Sequence, residues 1–166
     1  QGDQVSYGSD SWIGYVYDGV NNFTNDYIGY ITELEIFNQT FGGNRVSSPT
    51  NGCDIYTETF SVQYKMRKTF DAADYTFVVG ADDGVRLSID GGSTYIISDY
   101  SNHAYRTNEL TIFLDGTYDL VLEYFENGGG NRISFNYSAA STLPVTLVSF
   151  DGNFNENQGA AKLQWV

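Results

Sequence analysis

The sequence predicts an all-β fold: an antiparallel β-sandwich with an irregular N-terminal region and few or no helices. Three observations carry this expectation. From about Tyr56 onward apolar and polar residues alternate, and no window keeps a 3.6-residue period for ten residues or more. The chain holds 14 Tyr, 11 Phe and 2 Trp against 2 Pro, a composition that suits pleated strands. Its 18 glycines include Gly91-Gly92, Gly116 and Gly128 to Gly130, each where an alternating run stops and the chain can reverse.

In the first fifty residues, Trp12 to Tyr17 reads as a strand, and Ile31, Leu34 and Phe37 have the spacing of a short helix. Phe60, Val62, Tyr64 and Met66 then alternate with Ser61, Gln63, Lys65 and Arg67, which leaves one face to bury. Tyr75, Phe77 and Val79 repeat the pattern. Val85, Leu87 and Ile89 do so again, up to the reversal expected at Gly91-Gly92. Leu110, Ile112 and Leu114 lead into Asp115-Gly116, a strong turn dipeptide, and Tyr118, Leu120, Leu122 and Tyr124 follow, which predicts a second hairpin. Ile133, Phe135 and Tyr137 form a closing strand after the glycine run. Six or more short strands at these intervals point to two sheets sharing one core.

A chain of 166 residues fits one ordinary domain that buries its core without disulfides, and the lone Cys53 cannot form an internal bridge. The sandwich is expected over residues 1–141. Residues 142–166 read as a linker and the start of a following β-rich module, with a new strand from Leu143 to Phe150 answered by Leu163 to Val166.

The 21 acidic against 8 basic residues give a formal charge of -13, which repels phosphate backbones and anionic lipid. Nucleic acid is therefore excluded as a partner. Without a run of about 18 apolar residues, membrane insertion by a helix is excluded as well. Such acidity serves solubility, or it supplies carboxylates for divalent cations.

Ala81-Asp82-Asp83-Gly84, between two strands, is the sharpest local feature. A polar turn uses such residues, but two carboxylates also provide much of the charge that Ca²⁺ requires among its six to eight oxygens. Neighbouring side chains on an extended backbone point to opposite sides, so both acids reach one ion only if the peptide between them departs from the ordinary form. A cis bond would allow it. Glycoside hydrolysis instead needs acids facing each other across a cleft about 5 to 10 Å wide, and successive residues in a turn do not provide this. His103, the single histidine, lacks an accompanying Gly-x-Ser-x-Gly elbow, so the chain does not read as an enzyme. Asp151-x-Asn153-x-Asn155 begins like a calcium loop, but Glu156 stands at the required glycine and Lys162 at the bidentate glutamate.

The stretch from Tyr75 to Gly92, with Ala81-Asp82-Asp83-Gly84-Val85-Arg86-Leu87 at its centre, resembles the middle of the protective-antigen-type, or PA-fourteen, domain. Ile97-Ser98-Asp99-Tyr100-Ser101-Asn102-His103 and Leu122-Glu123-Tyr124-Phe125-Glu126-Asn127 with its glycine run are similar to two further segments of that family. The resemblance spans about Tyr56 to Tyr137. It implies a β-sandwich and, as in the family's lectin-like adhesin members, a calcium ion gripped by a cis Asp-Asp pair that also meets sugar hydroxyls. Asp82 and Asp83 stand at that pair. A second ligand loop is implied near Glu126 or Asn127, with Asn131 within reach, and the sequence does not choose among the three. The family match gives His103 a structural role. Departures occur at Ser98, Asn102 and Tyr100, and Gly128, Gly129 and Gly130 replace the specificity side chains of sugar-binding relatives. The tail from Leu143 resembles a module of large exported bacterial proteins.

The expectation is a non-catalytic, calcium-dependent lectin or adhesin module, a monomer within a longer chain that is secreted or held on a bacterial cell surface and whose partner is a glycan. Metal ligands are expected among Asp82, Asp83, Glu126, Asn127 and Asn131. Glycan contacts are expected from Asp82, Asp83, Asn127 and Asn131, with Tyr100, Tyr105 and Trp12 as candidate aromatic faces for the apolar side of a sugar ring. A structural spacer or protein-docking module, and a non-catalytic appendage of a glycoside hydrolase, are the alternatives.

Overall fold

The computed structural model describes residues 4–140, 150–155 and 160–165. In chain order the strands are β1 (Gly8–Ser9), β2 (Ser11–Asp18), β3 (Tyr27–Leu34), β4 (Phe37–Gln39), β5 (Ser47–Ser48), β6 (Ile55–Tyr56), β7 (Thr59–Asp82), β8 (Gly84–Ser88), β9 (Ile97–Asp99), β10 (Arg106–Asn127), β11 (Arg132–Ala139), β12 (Phe150–Asn155) and β13 (Ala160–Trp165). The described residues form no helix.

Two long strands, β7 and β10, organise the main sheet. They pair antiparallel from Thr59 opposite Asn127 to Ala81 opposite Arg106, with one register shift between Leu114 and Gly116. At that bulge Gly116 takes a φ of 134°, a conformation that a side chain disfavours. On either side of the bulge the two strands acquire different neighbours. The first half of β7 pairs with β2, which pairs with β3, while the second half of β10 pairs with β8 and through it β9. The second half of β7 instead pairs with β11, and β11 with β4. The ribbon thus bends over on itself and contributes to both layers of an all-β sandwich.

The core between the layers follows the alternation of the sequence. Phe77, Val79, Ile133 and Phe135 from one layer meet Val62, Tyr64, Met66, Leu120 and Leu122 from the other, all of them buried. Trp12 sits edge-on to Phe37, Tyr64 and Phe135 at centroid distances of 6.3, 6.4 and 4.9 Å. The second half of β10 is buried on its other face too, through Val121, Glu123 and Phe125. Glu123 tolerates this because Arg86 donates to it at 2.6 Å, Gln63 at 2.7 Å and Tyr95 at 2.8 Å. The Arg86 guanidinium is itself held between the Tyr95 and Tyr100 rings, 4.1 and 4.2 Å from their centroids.

The structure changes three local expectations. Asp115-Gly116 does not close a hairpin: β10 continues through it, because the glycine serves a bulge within an already paired strand. The two separate runs expected around Tyr64 and Phe77 are likewise one strand. The helical spacing of Ile31, Leu34 and Phe37 is coincidental, for they lie on β3 and β4, and Leu34 is 77% exposed while Phe37 is buried. The reversal after Gly91-Gly92 is present, joining antiparallel β8 and β9. In the C-terminal region β12 and β13 pair antiparallel as a sheet of their own, and the strand expected from Leu143 lies mostly outside the described residues.

Phe77 is fully buried and the side chain of Glu109 lies in solvent. Replacing Phe77 with Ala is expected to cost about 3 to 5 kcal/mol of unfolding free energy, and Glu109→Ala to stay within about 0.5 kcal/mol. Urea unfolding of the two variants checks this, and equal effects would contradict the assigned faces of β7 and β10.

Candidate metal and ligand site

Bending the β7 and β10 ribbon brings together the ends of both strands. Asp82 closes β7, Asp83 occupies the link to β8, and Glu126 stands next to last on β10. One carboxylate oxygen from each of these three residues lies within 4.8 Å of the other two. The Asp82–Asp83 peptide is cis, as the sequence reading required. Asp83 and Glu126 are buried and Asp82 is partly exposed, so the group opens to solvent through Asp82.

Each acid is held from a different direction. Asp83 Oδ1 accepts from the main-chain N–H of His103 at 2.9 Å, and its Oδ2 from that of Asn127 at 2.8 Å. The main-chain N–H of Tyr105 supports the Asp82 carboxylate. The Tyr124 hydroxyl donates to the Asp82 carbonyl oxygen at 2.7 Å and lies 3.2 Å from Glu126 Oε2. Glu126 Oε1 is buried with no hydrogen-bond partner. Such an atom is costly to bury, and a cation would satisfy it.

The electrostatics agree. Burial first, and then the nearby Asp83 charge, push the Glu126 carboxyl up to about 8. The same two causes, in the same order, raise Asp82. Other carboxylates of the chain with a guanidinium partner behave oppositely: Arg106 is the main reason that Asp99 is held down at about 2. None of the ion pairs among the described residues involves Asp82, Asp83 or Glu126. Three converging carboxylates, two of them buried and none ion-paired, form a donor set suited to a hard cation such as Ca²⁺.

The glycine loop completes the surroundings. Gly128 and Gly129 take φ values of 96° and 112°, and a Cβ on Gly130 would lie 3.0 Å from Asp82 Oδ2. A side chain at Gly130 would therefore crowd the carboxylate, and its absence leaves space beside the acids.

The remaining expected site residues are placed in different ways. Asn127 meets the group through its main chain, and its side chain is exposed. Asn131 is buried and ties two segments together, its Oδ1 accepting from Phe41 N and its Nδ2 donating to Gly43 O, each at 2.8 Å. Trp12 is a correction: it is fully buried in the sandwich core, with its indole N–H donating to the Glu35 carbonyl at 3.0 Å, so it cannot present a face to a ligand. Tyr100 is half-buried, edge-on to Phe125 at 4.9 Å, with Arg86 over its ring. Tyr105 is half-buried too, with the Arg132 guanidinium 3.9 Å from its ring centroid and its hydroxyl 2.9 Å from Ser134 Oγ. His103 has its ring bracketed by the Ala104 carbonyl at Nδ1 and Asp99 at Nε2, while its main chain serves Asp83.

Residue-by-residue reading of the sequence missed the supporting contacts of Tyr124, of the His103 and Tyr105 N–H groups, and of Gly130. Among these, only Gly130, at the end of the glycine run and two residues before β11, carried a signal in the sequence.

Glu126 makes the metal-free protein sensitive to pH. An acid whose folded-state pKa lies above its unfolded value binds its proton more tightly when folded, so stability falls as pH rises. For Glu126 the window runs from about 4.5 to about 8. Asp90 and Asp99, both held near 2, change stability only at lower pH. In chelator, the melting temperature is expected to fall between pH 5 and pH 8, and Glu126→Gln to flatten that fall. A wild-type profile unchanged over this range would contradict the raised pKa.

No family model and no curated protein matches the chain. Solved structures do. The "PA14 sugar-binding domain from RTX adhesin" aligns over 95% of this chain and 96% of its own, at 15% identity and a TM-score of 0.54. The Epithelial Adhesin 9 A domain from Candida glabrata, solved in complex with Galb1-4GlcNAc, aligns over 82% of this chain and 84% of its own, at 14% identity and a TM-score of 0.57. A beta-glucosidase from Kluyveromyces marxianus in complex with glucose aligns over 79% of this chain at 16% identity and a TM-score of 0.57, and the match spans only 16% of that enzyme. At these identities the likeness is one of fold, and the fold of this chain is that of the PA14 domains.

Proposed function

We propose that the chain is a calcium-dependent carbohydrate-binding module, non-catalytic in itself, within an exported or cell-surface protein. The observation that carries this reading is the convergence of Asp82, Asp83 and Glu126, with Glu126 Oε1 buried and unpartnered. The shared fold with a sugar-binding domain and an adhesin solved with a disaccharide supports the ligand class.

Asp82, Asp83 and Glu126 would hold the cation. When bound, Ca²⁺ supplies a hard positive centre that accepts hydroxyl oxygens in the coordination positions the protein leaves open. The chain's own residues do the remaining work. Main-chain N–H groups of His103, Asn127 and Tyr105 orient the two aspartates, Tyr124 fixes the Asp82 carbonyl, and the glycine loop keeps bulk away from the opening. Binding of this kind requires no bond to break, and Asp83 already accepts hydrogen bonds at both oxygens, which suits a fixed ligand better than a proton-transferring acid. The likeness to a segment of a beta-glucosidase favours one second reading, a non-catalytic appendage that keeps a glycoside hydrolase near its substrate.

Calcium at 100 times its Kd is expected to add about 2.7 kcal/mol of stability, seen as a rise in melting temperature that chelator reverses. Asp82→Asn should abolish the rise. A glycan array read with calcium and again with chelator should show binding in the first condition alone. An unshifted melt at millimolar calcium would refute the metal site, and release of free sugar in the same assay would refute the non-catalytic reading.

A further inference from the structure

β3 is the outermost strand on its side of the main sheet, and only part of its free edge is covered. The segment after β5 runs antiparallel beside it: Asn51 N–H donates to the Tyr30 carbonyl at 2.8 Å and Cys53 N–H to the Ile28 carbonyl at 3.2 Å. Gly29 and Gly52 let the two backbones meet, for a Cβ on Gly52 would lie 2.6 Å from the Ile28 carbonyl oxygen. The same register carried one step further calls on residue 49 to serve Thr32, and Pro49 has no N–H to give. Pairing stops there.

Beyond that point the edge is bare. Main-chain groups repeat every second residue along a strand, so those of Thr32 and Leu34 point the same way as those of Ile28 and Tyr30, away from β2. None of them has a partner among the described residues. A row of free N–H and C=O groups is a template for another strand. Beside it lies an open slot of about 450 Å³, lined by Ile31 and Glu33 of β3, by Gln39 at the end of β4 and by Asn51. Glu33 makes no hydrogen bond or ion pair with any described residue, whereas Glu35, two residues on, is held by Lys68 and Tyr137. Burial raises the Glu33 carboxyl.

The bare edge and the unpaired acid call for one kind of partner. A strand added to β3 lies about 4.8 Å away, and the side chain opposite Glu33 turns to the same face, with its Cβ about 5 Å from that of Glu33. A lysine or arginine there places its charge in the slot. The residues on either side of it fall next to Thr32 and Leu34 on the other face, where Leu34 is 77% exposed. A second copy of this chain does not fit. Pairing two β3 edges about Glu33 sets like charges opposite each other and brings together two chains of formal charge -13.

We propose that the edge of β3 over residues 32–34 is a docking site for an extended segment of a partner protein, added as a further strand, in which a basic residue opposite Glu33 stands between two apolar ones. The site is separate from Asp82, Asp83 and Glu126 and needs no cation, so it stands independently of the carbohydrate reading.

The test titrates the isotope-labelled chain, with calcium present, with the blocked heptapeptide Val-Thr-Val-Lys-Val-Thr-Val and with its counterpart carrying Glu at the centre, and follows the main-chain amide signals. The Lys peptide should move the Thr32 and Leu34 amides and bind at least about fivefold more tightly than the Glu peptide. Glu33→Gln should remove that preference. Thr32→Pro takes away only a donor that points to solvent, so signals across β7 and β10 should stay in place while binding of both peptides is lost. Should Thr32→Pro not fold, Glu33→Gln decides the question by itself. Equal binding of the two peptides by the wild type, undiminished binding by a folded Thr32→Pro, or no binding at millimolar peptide would each overturn the docking site, and so would shifts confined to Asp82, Asp83 and Glu126. The calcium-dependent rise in melting temperature is unaffected by any of these outcomes, which keeps failure here distinct from failure of the carbohydrate reading.

Discussion

The structure depends on one constraint, the unbroken antiparallel pairing of β7 and β10 through a bend. Along an unbent ribbon, Asp82 and the Phe60 opposite Glu126 would stand roughly 70 Å apart. The bulge at Gly116 lets the ribbon bend over, and oxygens of Asp82, Asp83 and Glu126 then lie within 4.8 Å of one another. The core and the site therefore have the same origin. The inward residues that bury Phe77 against Leu122 also hold the two strand ends together, so the acids are crowded by the energy of core packing and not by any attraction of their own.

This crowding opposes the protein's own electrostatics. The chain carries a formal charge of -13, and most of its semi-buried carboxylates are balanced locally. Glu123 has Arg86, and Asp99 and Asp119 have Arg106 and Arg67. Asp82, Asp83 and Glu126 have no such ion pair, and the helpers that surround them are main-chain N–H groups and one phenol. Dipoles of this kind orient a carboxylate without neutralising it, which preserves its capacity to bind a cation. The arrangement leaves the metal-free protein with raised Asp82 and Glu126 pKa values, an internal cost that a divalent ion would offset.

The outer surface of the sandwich is used unevenly. On one layer, Glu123, Arg86, Tyr95 and Tyr100 form a packed polar and aromatic cluster that fastens the segment leading to His103, whose N–H reaches Asp83. On the other layer, Arg132 stands opposite Asp82, donates to Asn38 at 2.9 Å and stacks on the Tyr105 ring. Tyr100 and Tyr105, expected as platforms for a sugar, each have an Arg guanidinium stacked on the ring. The Tyr105 hydroxyl meets Ser134 Oγ, and Trp12 contributes to the core.

Alternation of apolar and polar residues determined by itself that the chain is all-β, which residues face the core, and that acids and glycines gather at strand ends; period-two patterning is a local property, legible wherever one face is buried. The Asp82-Asp83 pair was legible for the same reason, since both acids are adjacent in the chain. Tertiary structure alone decided that Asp115-Gly116 is a bulge and not a turn, that Ile31 and Phe37 lie on strands, that Asn131 ties the loop to Phe41 and Gly43, and that Glu126 joins the aspartates across more than forty residues. Those outcomes turn on strand pairing between distant segments, and an isolated glycine or asparagine reads the same in a hairpin, a bulge or a buried tie until its partner strand is in place.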